Sequence, residues 1–215
     1  MKDLILYGHP LAPNPRAVRI ALIEKGIGFD FPEFSIDYFG SEDYAKLHPF
    51  KKMPTLKHGD FILYETPAIL GYVDEAFEGI SLQPQDHQAR AQMRKWLNIN
   101  SCYFSQEIMK LFFQRIINQI RGGTADERIV AEAAIVIEKN LNFLEAELNG
   151  TYLVGNSLSL ADILLGVFVS YLNMTKEGFD LIQTHPKTTE WLANLNQRES
   201  FSQTLATVLV GEELR

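Results

Sequence analysis

The chain has 215 residues, 46% of them hydrophobic and 22% charged, the composition of an ordinary globular protein with core enough for one or two domains. Its net charge of −7 argues against a nucleic-acid partner, because phosphate binding needs a clustered excess of Lys and Arg. Apolar runs such as 163–172 fall far short of the roughly 20 residues that span a bilayer, and the N-terminus has no apolar signal region, so a cytoplasmic protein with no membrane partner is expected.

A single cysteine, Cys102, argues against internal disulfides, CxxC redox chemistry and an all-cysteine zinc site. The five histidines lack metal-ligand spacing, so no metal is expected. In its helical stretch Cys102 reads as a small core residue.

In chain order, residues 3–8 read as a strand. Asn14-Pro15 reads as a helix start, a capping side chain followed by proline, with Val18, Ala21 and Leu22 at helical spacing and Gly26 as the stop. Residues 29–36 read as a second strand, and Ser41 as the cap of a short helix ending before Pro49. Residues 55–57 and 61–64, joined by His58-Gly59-Asp60, read as a β-hairpin. Thr66-Pro67 repeats the cap-plus-proline start for a helix to about Phe77. The order βαβ, short helix, ββα is the thioredoxin-like arrangement, an α/β domain over 1–79.

Residues 80–87, with Pro84, read as a linker, and an all-helical domain is expected over 88–215. There, 88–121 closes at Gly122-Gly123, and 126–148 carries Ile129, Ala133, Ile137, Leu141, Leu144 and Leu148 at three- and four-residue spacing. Tyr171, Trp191 and Phe201 read as core aromatics.

Three separated motifs stand out: Lys52-Met53-Pro54-Thr55, Tyr64-Glu65-Thr66-Pro67-Ala68-Ile69, and Gly155-Asn156-Ser157-Leu158-Ser159-Leu160-Ala161-Asp162. In this order they resemble the glutathione transferase family over essentially the whole chain. The resemblance implies a cis peptide bond before Pro54, against the plain alternative of a trans proline at a strand start. It implies that Met53 pairs with the glutathione backbone as an added strand. Thr66 and the N-terminus of its helix then receive the γ-glutamyl carboxylate while Glu65 faces the ammonium group. On the bland reading Thr66 is only a cap and Glu65 only a solvated acid. The third motif is structural in either view: Ser159 and Asp162 form a capping box with Leu158 and Ile163 at the staple positions.

The first loop, Gly8 to Asn14, is closest to the serine-using plant and bacterial branches, whose serine hydroxyl hydrogen-bonds the glutathione sulfur. Ala12 stands at that position, and a methyl group cannot stabilise a thiolate. Asn14 is the candidate replacement, donating from its amide, against the alternative that it only caps the helix. Tyr7 is a lesser candidate. The positions matching a His-Lys pair of some serine-type members are Phe39 and Gly40, which makes Lys52, with Lys51 beside it, the cation for the glycyl carboxylate. Leu11 and Tyr103 match the lining of the electrophile pocket, with core packing the alternative for Tyr103.

The resemblance thus implies a glutathione S-transferase with glutathione as co-substrate, joining its thiolate to a small hydrophobic electrophile as in detoxification, weakly because of Ala12. A non-catalytic binder of glutathione or a hydrophobic ligand, and a scaffold or regulatory protein of the same fold, are the rival readings. It also implies a homodimer with Phe50, four residues before Pro54, as interface anchor, unless that ring packs in its own subunit.

Overall fold

Leu4 and Leu6 are buried while Ile5 and Tyr7 are half-buried, the two-residue period of a strand, and Leu4–Tyr7 forms β1. The computed structural model describes residues 4–205, so Asp3 of the expected first strand and the last ten residues of the expected helical domain lie outside the described residues. Helix α1, Pro13–Glu24, buries Ala17, Val18, Ile20, Ala21 and Leu22 and packs against α3, Thr66–Ala76, which buries Ile69, Leu70 and Val73. Between them come a 3-10 turn, Ile36–Gly40, a short helix α2, Glu42–Ala45, and strands β2, Thr55–His58, and β3, Phe61–Tyr64. The three strands form an antiparallel sheet in the order β1-β2-β3, with Leu6 opposite Leu56 and Leu56 opposite Leu63. Gly59, at φ 59°, makes the tight hairpin turn with Asp60, a conformation glycine adopts without a side-chain clash.

The expected strand over 29–36 contracts to a single parallel bridge. Leu6 N–H donates to the Asp30 carbonyl and Asp30 N–H to the Leu4 carbonyl, both at 2.9 Å. Pro32 has no N–H to extend the ladder, and Phe34 turns aside to stack on Tyr38 at 4.2 Å and on Tyr7 at 5.6 Å. Both proline-marked helix starts fall earlier than the sequence pattern suggests. The cap of α1 is Ala12, with no side-chain bond, and that of α3 is Glu65, so neither Asn14 nor Thr66 is a cap. Pro13 occupies the first turn of α1, and the helix takes up the residues ahead of Asn14.

The described chain divides into two units, residues 4–83 with 199–205, and Pro84–Arg198. The start of the expected linker is held in the first unit by buried Lys25, which donates to Asp74 at 3.2 Å and to the Ile80 carbonyl at 2.9 Å, while Asp74 accepts from Leu82 N–H at 2.7 Å. Helix α11, Glu199–Gln203, returns to the same unit. Arg16 donates to the Phe201 carbonyl at 3.2 Å and Ser200 donates to Glu24 at 2.5 Å, so Phe201 is a core aromatic of the α/β unit.

The second unit begins with a nearly continuous helical stretch: α4, His87–Ile99; a π turn, Asn100–Phe104; α5, Ser105–Phe112; a second π turn, Phe113–Ile117; and α6, Asn118–Ile120. The first π turn exposes Cys102, which is therefore not a core residue. Helices α7, Glu127–Glu147, α8, Leu160–Leu172, α9, Lys176–Gln183, and α10, Pro186–Asn196, complete it. All of α8 is buried, and so is the Asp162 carboxylate near its start. That carboxylate accepts from Ser159 N–H at 3.0 Å, Ser159 hydroxyl at 2.6 Å, Leu153 N–H at 2.8 Å and Trp191 Nε1 at 3.0 Å. Four donors compensate its burial, a structural use of the third motif. Among the described residues no helix is long and apolar enough to cross a membrane.

Helix α10 lacks a side-chain cap of its own, and Glu145 of α7 supplies one from outside, accepting from Lys187 N–H, Thr188 N–H and the Thr188 hydroxyl, each at 2.9 Å. Burial pushes this carboxyl up, but those amides and the hydroxyl, with His185 nearby, outweigh it and hold it below the ordinary value of 4.5. A depressed folded value contributes stability above 4.5 that is lost as pH falls through the lower folded value. Glu145→Ala should lower unfolding free energy by about 1–2 kcal/mol at pH 7, and the gap between parent and variant in denaturant melts should narrow steadily below pH 4.5.

Candidate active site

A cleft of about 430 Å³ on the α/β unit is lined by Asn14, His48, Lys51, Lys52, Met53, Pro54, Glu65 and Thr66. Three pieces of local structure build it. The first is the start of α1: Pro13 and Pro15 lack N–H groups, Asn14 is the polar residue of that turn that lines the cleft, and its amide has no hydrogen bond among the described residues. The second is the strand-to-helix turn, where Glu65 sits at φ 72° and ψ 113°, a conformation costly for a residue with a side chain. That twist leaves the Glu65 carboxylate exposed and sets buried Thr66 in the first turn of α3.

The third piece is the segment 48–54, hung from α2. Ser41 caps that helix, accepting from Tyr44 N–H at 3.1 Å. The Tyr44 hydroxyl donates to the Lys52 carbonyl at 2.7 Å and meets Thr55 Oγ1 at 2.9 Å. Burial raises the Tyr44 phenol to about 12, against the opposing Thr55 bond, so it stays a donor at neutral pH. Lys51 N–H donates to the His48 carbonyl at 2.9 Å, closing a turn with Lys51 at φ 50°. The Met53–Pro54 bond is cis, as the first motif implies, and Met53 lies beyond the last ladder pair, Tyr7 with Thr55.

Charge is distributed to suit a zwitterionic peptide. The N-terminal ends of α1 and α3 both reach the cleft and carry positive dipole ends. Lys51 and Lys52 add cationic charge, Lys51 paired with Glu42 at 2.5 Å and Lys52 without an ion pair among the described residues. Glu65 is the cleft's carboxylate.

Domain models agree with this picture. The N-terminal domain of glutathione S-transferase matches residues 2–75 and the C-terminal domain matches residues 103–199. Glutathione S-transferase 3 of Zea mays is 30% identical over 213 residues, which cover 97% of this chain and 96% of the maize protein. The chain belongs to the glutathione S-transferase family, a family of enzymes. The structure of glutathione transferase F7 from Populus trichocarpa superposes with a TM-score of 0.87 at 25% identity, over 94% of this chain and 97% of that one. A glutathione S-transferase-I structure bound with lactoylglutathione superposes with a TM-score of 0.85 at 25% identity, over 94% and 98%.

Within this transferase the cleft gathers six residues singled out from sequence, Asn14, Lys52, Met53, Pro54, Glu65 and Thr66. Tyr7 is not among the lining residues; its ring stacks on Phe34 at 5.6 Å and tilts against Tyr44 at 6.5 Å. Phe39 is buried edge-on against Tyr44 and Gly40 has no side chain, so no cation comes from that turn. Leu11 is half-buried, its N–H donating to His9 Nδ1 at 3.2 Å. Tyr103 is 62% exposed rather than packed in a core, and Phe50 is 67% exposed with one edge toward His48. His48, which lines the cleft, was not anticipated, and no pattern in the neighbouring sequence marks it. Among the described residues no cluster of metal ligands is present.

The strain at Glu65 separates ligand binding from folding. Glu65→Gly relieves the positive φ yet removes the carboxylate, so thermal stability should hold or rise while glutathione affinity falls roughly ten- to hundredfold, as for the loss of one charge-assisted hydrogen bond. Thr66→Ala should weaken binding similarly in calorimetry. Unchanged affinity in both variants rules out this site.

Proposed function

We propose that this transferase binds glutathione in the cleft at Asn14, Lys52, Met53, Glu65 and Thr66 and joins its sulfur to a small hydrophobic electrophile. The observation that carries the reading is the pairing, in one cleft, of Glu65 and the N-terminus of α3 with Lys52 and the cis Met53–Pro54 bond. Glu65 faces the ligand ammonium, Thr66 and the α3 amides the γ-glutamyl carboxylate, the Met53 backbone the central peptide, and Lys52 the glycyl carboxylate. The thiol gives up its proton to solvent, and the resulting thiolate forms the S–C bond with its electron pair while a bond at the attacked carbon breaks and its pair departs with the leaving group or moves onto an acceptor atom of the electrophile.

Thiolate stabilisation is assigned to the Asn14 amide and the N-terminus of α1. Support comes from the geometry: Asn14 lines the cleft with its amide unengaged, whereas Ala12 contributes only its backbone, accepting from Arg16 N–H at 3.2 Å. With a methyl group where a hydroxyl would donate, conjugation is slow near neutral pH. A second reading, a glutathione binder without turnover, is favoured by that same Ala12. Calorimetry with glutathione beside a general conjugation assay separates them: binding with turnover supports the enzyme, binding alone the carrier.

Ala12→Ser should lower the pH midpoint of bound-thiolate absorbance and raise the conjugation rate roughly tenfold, the equivalent of about 1.4 kcal/mol. Asn14→Ala should abolish the residual rate with little change in melting temperature, because Asn14 is not the cap of α1. A strongly depressed thiol pKa in the parent, unmoved by both substitutions, refutes the assignment of this loop.

The proposed assembly is a homodimer anchored by Phe50. Its exposed ring supports this, as does an apolar groove of about 490 Å³ on the helical unit, lined among others by Ile99, Tyr103, Val136 and Phe143, able to receive such a ring from a second copy. Light scattering at micromolar concentration should give twice the chain mass, and Phe50→Ala should shift the population toward monomer; a monomeric parent overturns the assembly.

A further inference from the structure

We propose that His48 donates its Nε2–H to the glycyl carboxylate of bound glutathione, an inference that rests on the glutathione-binding reading of this cleft. His48 is only 2% exposed, yet it is one of the residues lining the cleft. Its orientation is over-determined. The ring lies 4.6 Å from that of Tyr64 at 32°, 6.2 Å from Tyr44 at 31°, and 6.2 Å from Phe50 at 74°. These contacts hold its plane and leave little freedom to flip.

The tautomer follows from the backbone. Nδ1 accepts from Phe50 N–H at 3.3 Å, so in the neutral ring the proton resides on Nε2. Nε2 has no hydrogen-bond partner among the described residues. Burial favours the neutral ring, Glu65 opposes this and Lys52 reinforces it, and the balance lies below the usual histidine value. At neutral pH His48 is accordingly a fixed N–H donor without charge.

The distribution of cationic groups indicates what that donor meets. The basic side chains lining the cleft are His48, Lys51 and Lys52, all from one segment of five residues. Lys51 is engaged by Glu42, and the Tyr44 hydroxyl pins the Lys52 carbonyl while leaving the ammonium free of ion pairs. One ligand carboxylate is taken by Thr66 and the N-terminus of α3. The other falls to the segment 48–52, where a long, mobile Lys52 provides charge and His48 provides a directional bond from a rigid ring.

Two near-isosteric substitutions separate this role from support of the Phe50 turn. A Gln side chain places an amide N–H near the position of Nε2, whereas an Asn side chain places its oxygen near Nδ1 and leaves Nε2 empty. Calorimetric titration uses the full chain with glutathione and with γ-glutamylcysteine methylamide, an amide analogue that lacks the carboxylate and has no acceptor in its place. His48→Asn should weaken glutathione about tenfold and leave the amide analogue unchanged, while His48→Gln stays within about twofold of the parent for both. The ratio of the two affinities is taken within each protein, so a general loss of fold lowers both ligands together and leaves the ratio intact. An unchanged ratio in a His48→Asn variant that binds the amide analogue as the parent does overturns the proposal, and so does a loss in His48→Gln as large as in His48→Asn. A parent that does not bind glutathione overturns the reading of the cleft itself, and this inference with it.

Discussion

The cleft depends on one buried hydroxyl. Tyr44 belongs to a helix of only four residues, too short to be stable alone, and Ser41 and the aromatic contacts of Tyr44 with Phe39, Tyr38 and Tyr7 hold it in place. From there its phenol binds the Lys52 carbonyl and Thr55 across eight and eleven residues of chain. The two bonds fix both sides of the Met53–Pro54 bond and so set where Lys51, Lys52 and Met53 stand relative to the sheet. Replacing this bridge with solvent would leave a buried carbonyl and hydroxyl unmatched in an apolar cluster.

Against that fixed segment stand two helix starts that are poorly capped by their own side chains. Ala12 offers no side-chain oxygen to α1, and the Glu65 side chain makes no bond to the amides of α3. In a purely structural helix such ends are a loss of stability, commonly around 1 kcal/mol each. Here they leave positive dipole ends and unengaged polar groups at a cleft, where an anionic ligand can serve as the missing cap. The strained Glu65 conformation belongs to the same economy, since it sets the carboxylate in solvent and Thr66 within the first helical turn. By contrast, several charged groups of the helical unit find their partners within that unit. Asp162 has four donors, Glu145 caps α10, and Arg115 in the second π turn holds Glu127 of α7 at 2.6 Å and also binds Glu177 of α9. Satisfied networks of this kind point to scaffolding.

Much of this was legible in the chain because it is local. The hairpin follows from His58-Gly59-Asp60 between apolar runs, the Ser41 cap from its spacing, the Ser159–Asp162 link from a three-residue separation, and the position of Pro54 from its motif. The element order and the motifs pointed to a thioredoxin-like domain followed by helices, and a sequence relative at 30% identity together with the structural matches bears that out. Six cleft residues were legible for the same reason, since each sits within two residues of a proline that marks a turn.

What only tertiary structure decided was the partner of each long-range bond. Whether Asn14 and Thr66 cap their helices or face a cleft turns on where the helix begins, and Pro13 and the Glu65 backbone moved both starts by one or two residues. The strand over 29–36 has strand-like composition, but the stacking of Phe34 on Tyr7 and Tyr38 outweighs further ladder bonds once Pro32 interrupts them. Cys102 and Tyr103 have a helical pattern that suggests burial, and a π turn rotates them outward. His48 carries no local signal because its role depends on rings and an amide brought together from α2, β3 and the Phe50 turn. Local sequence determines backbone geometry through steric and capping rules that act over a few residues. The identity of a site depends on contacts between segments far apart in the chain, which exist only once the core has closed around them.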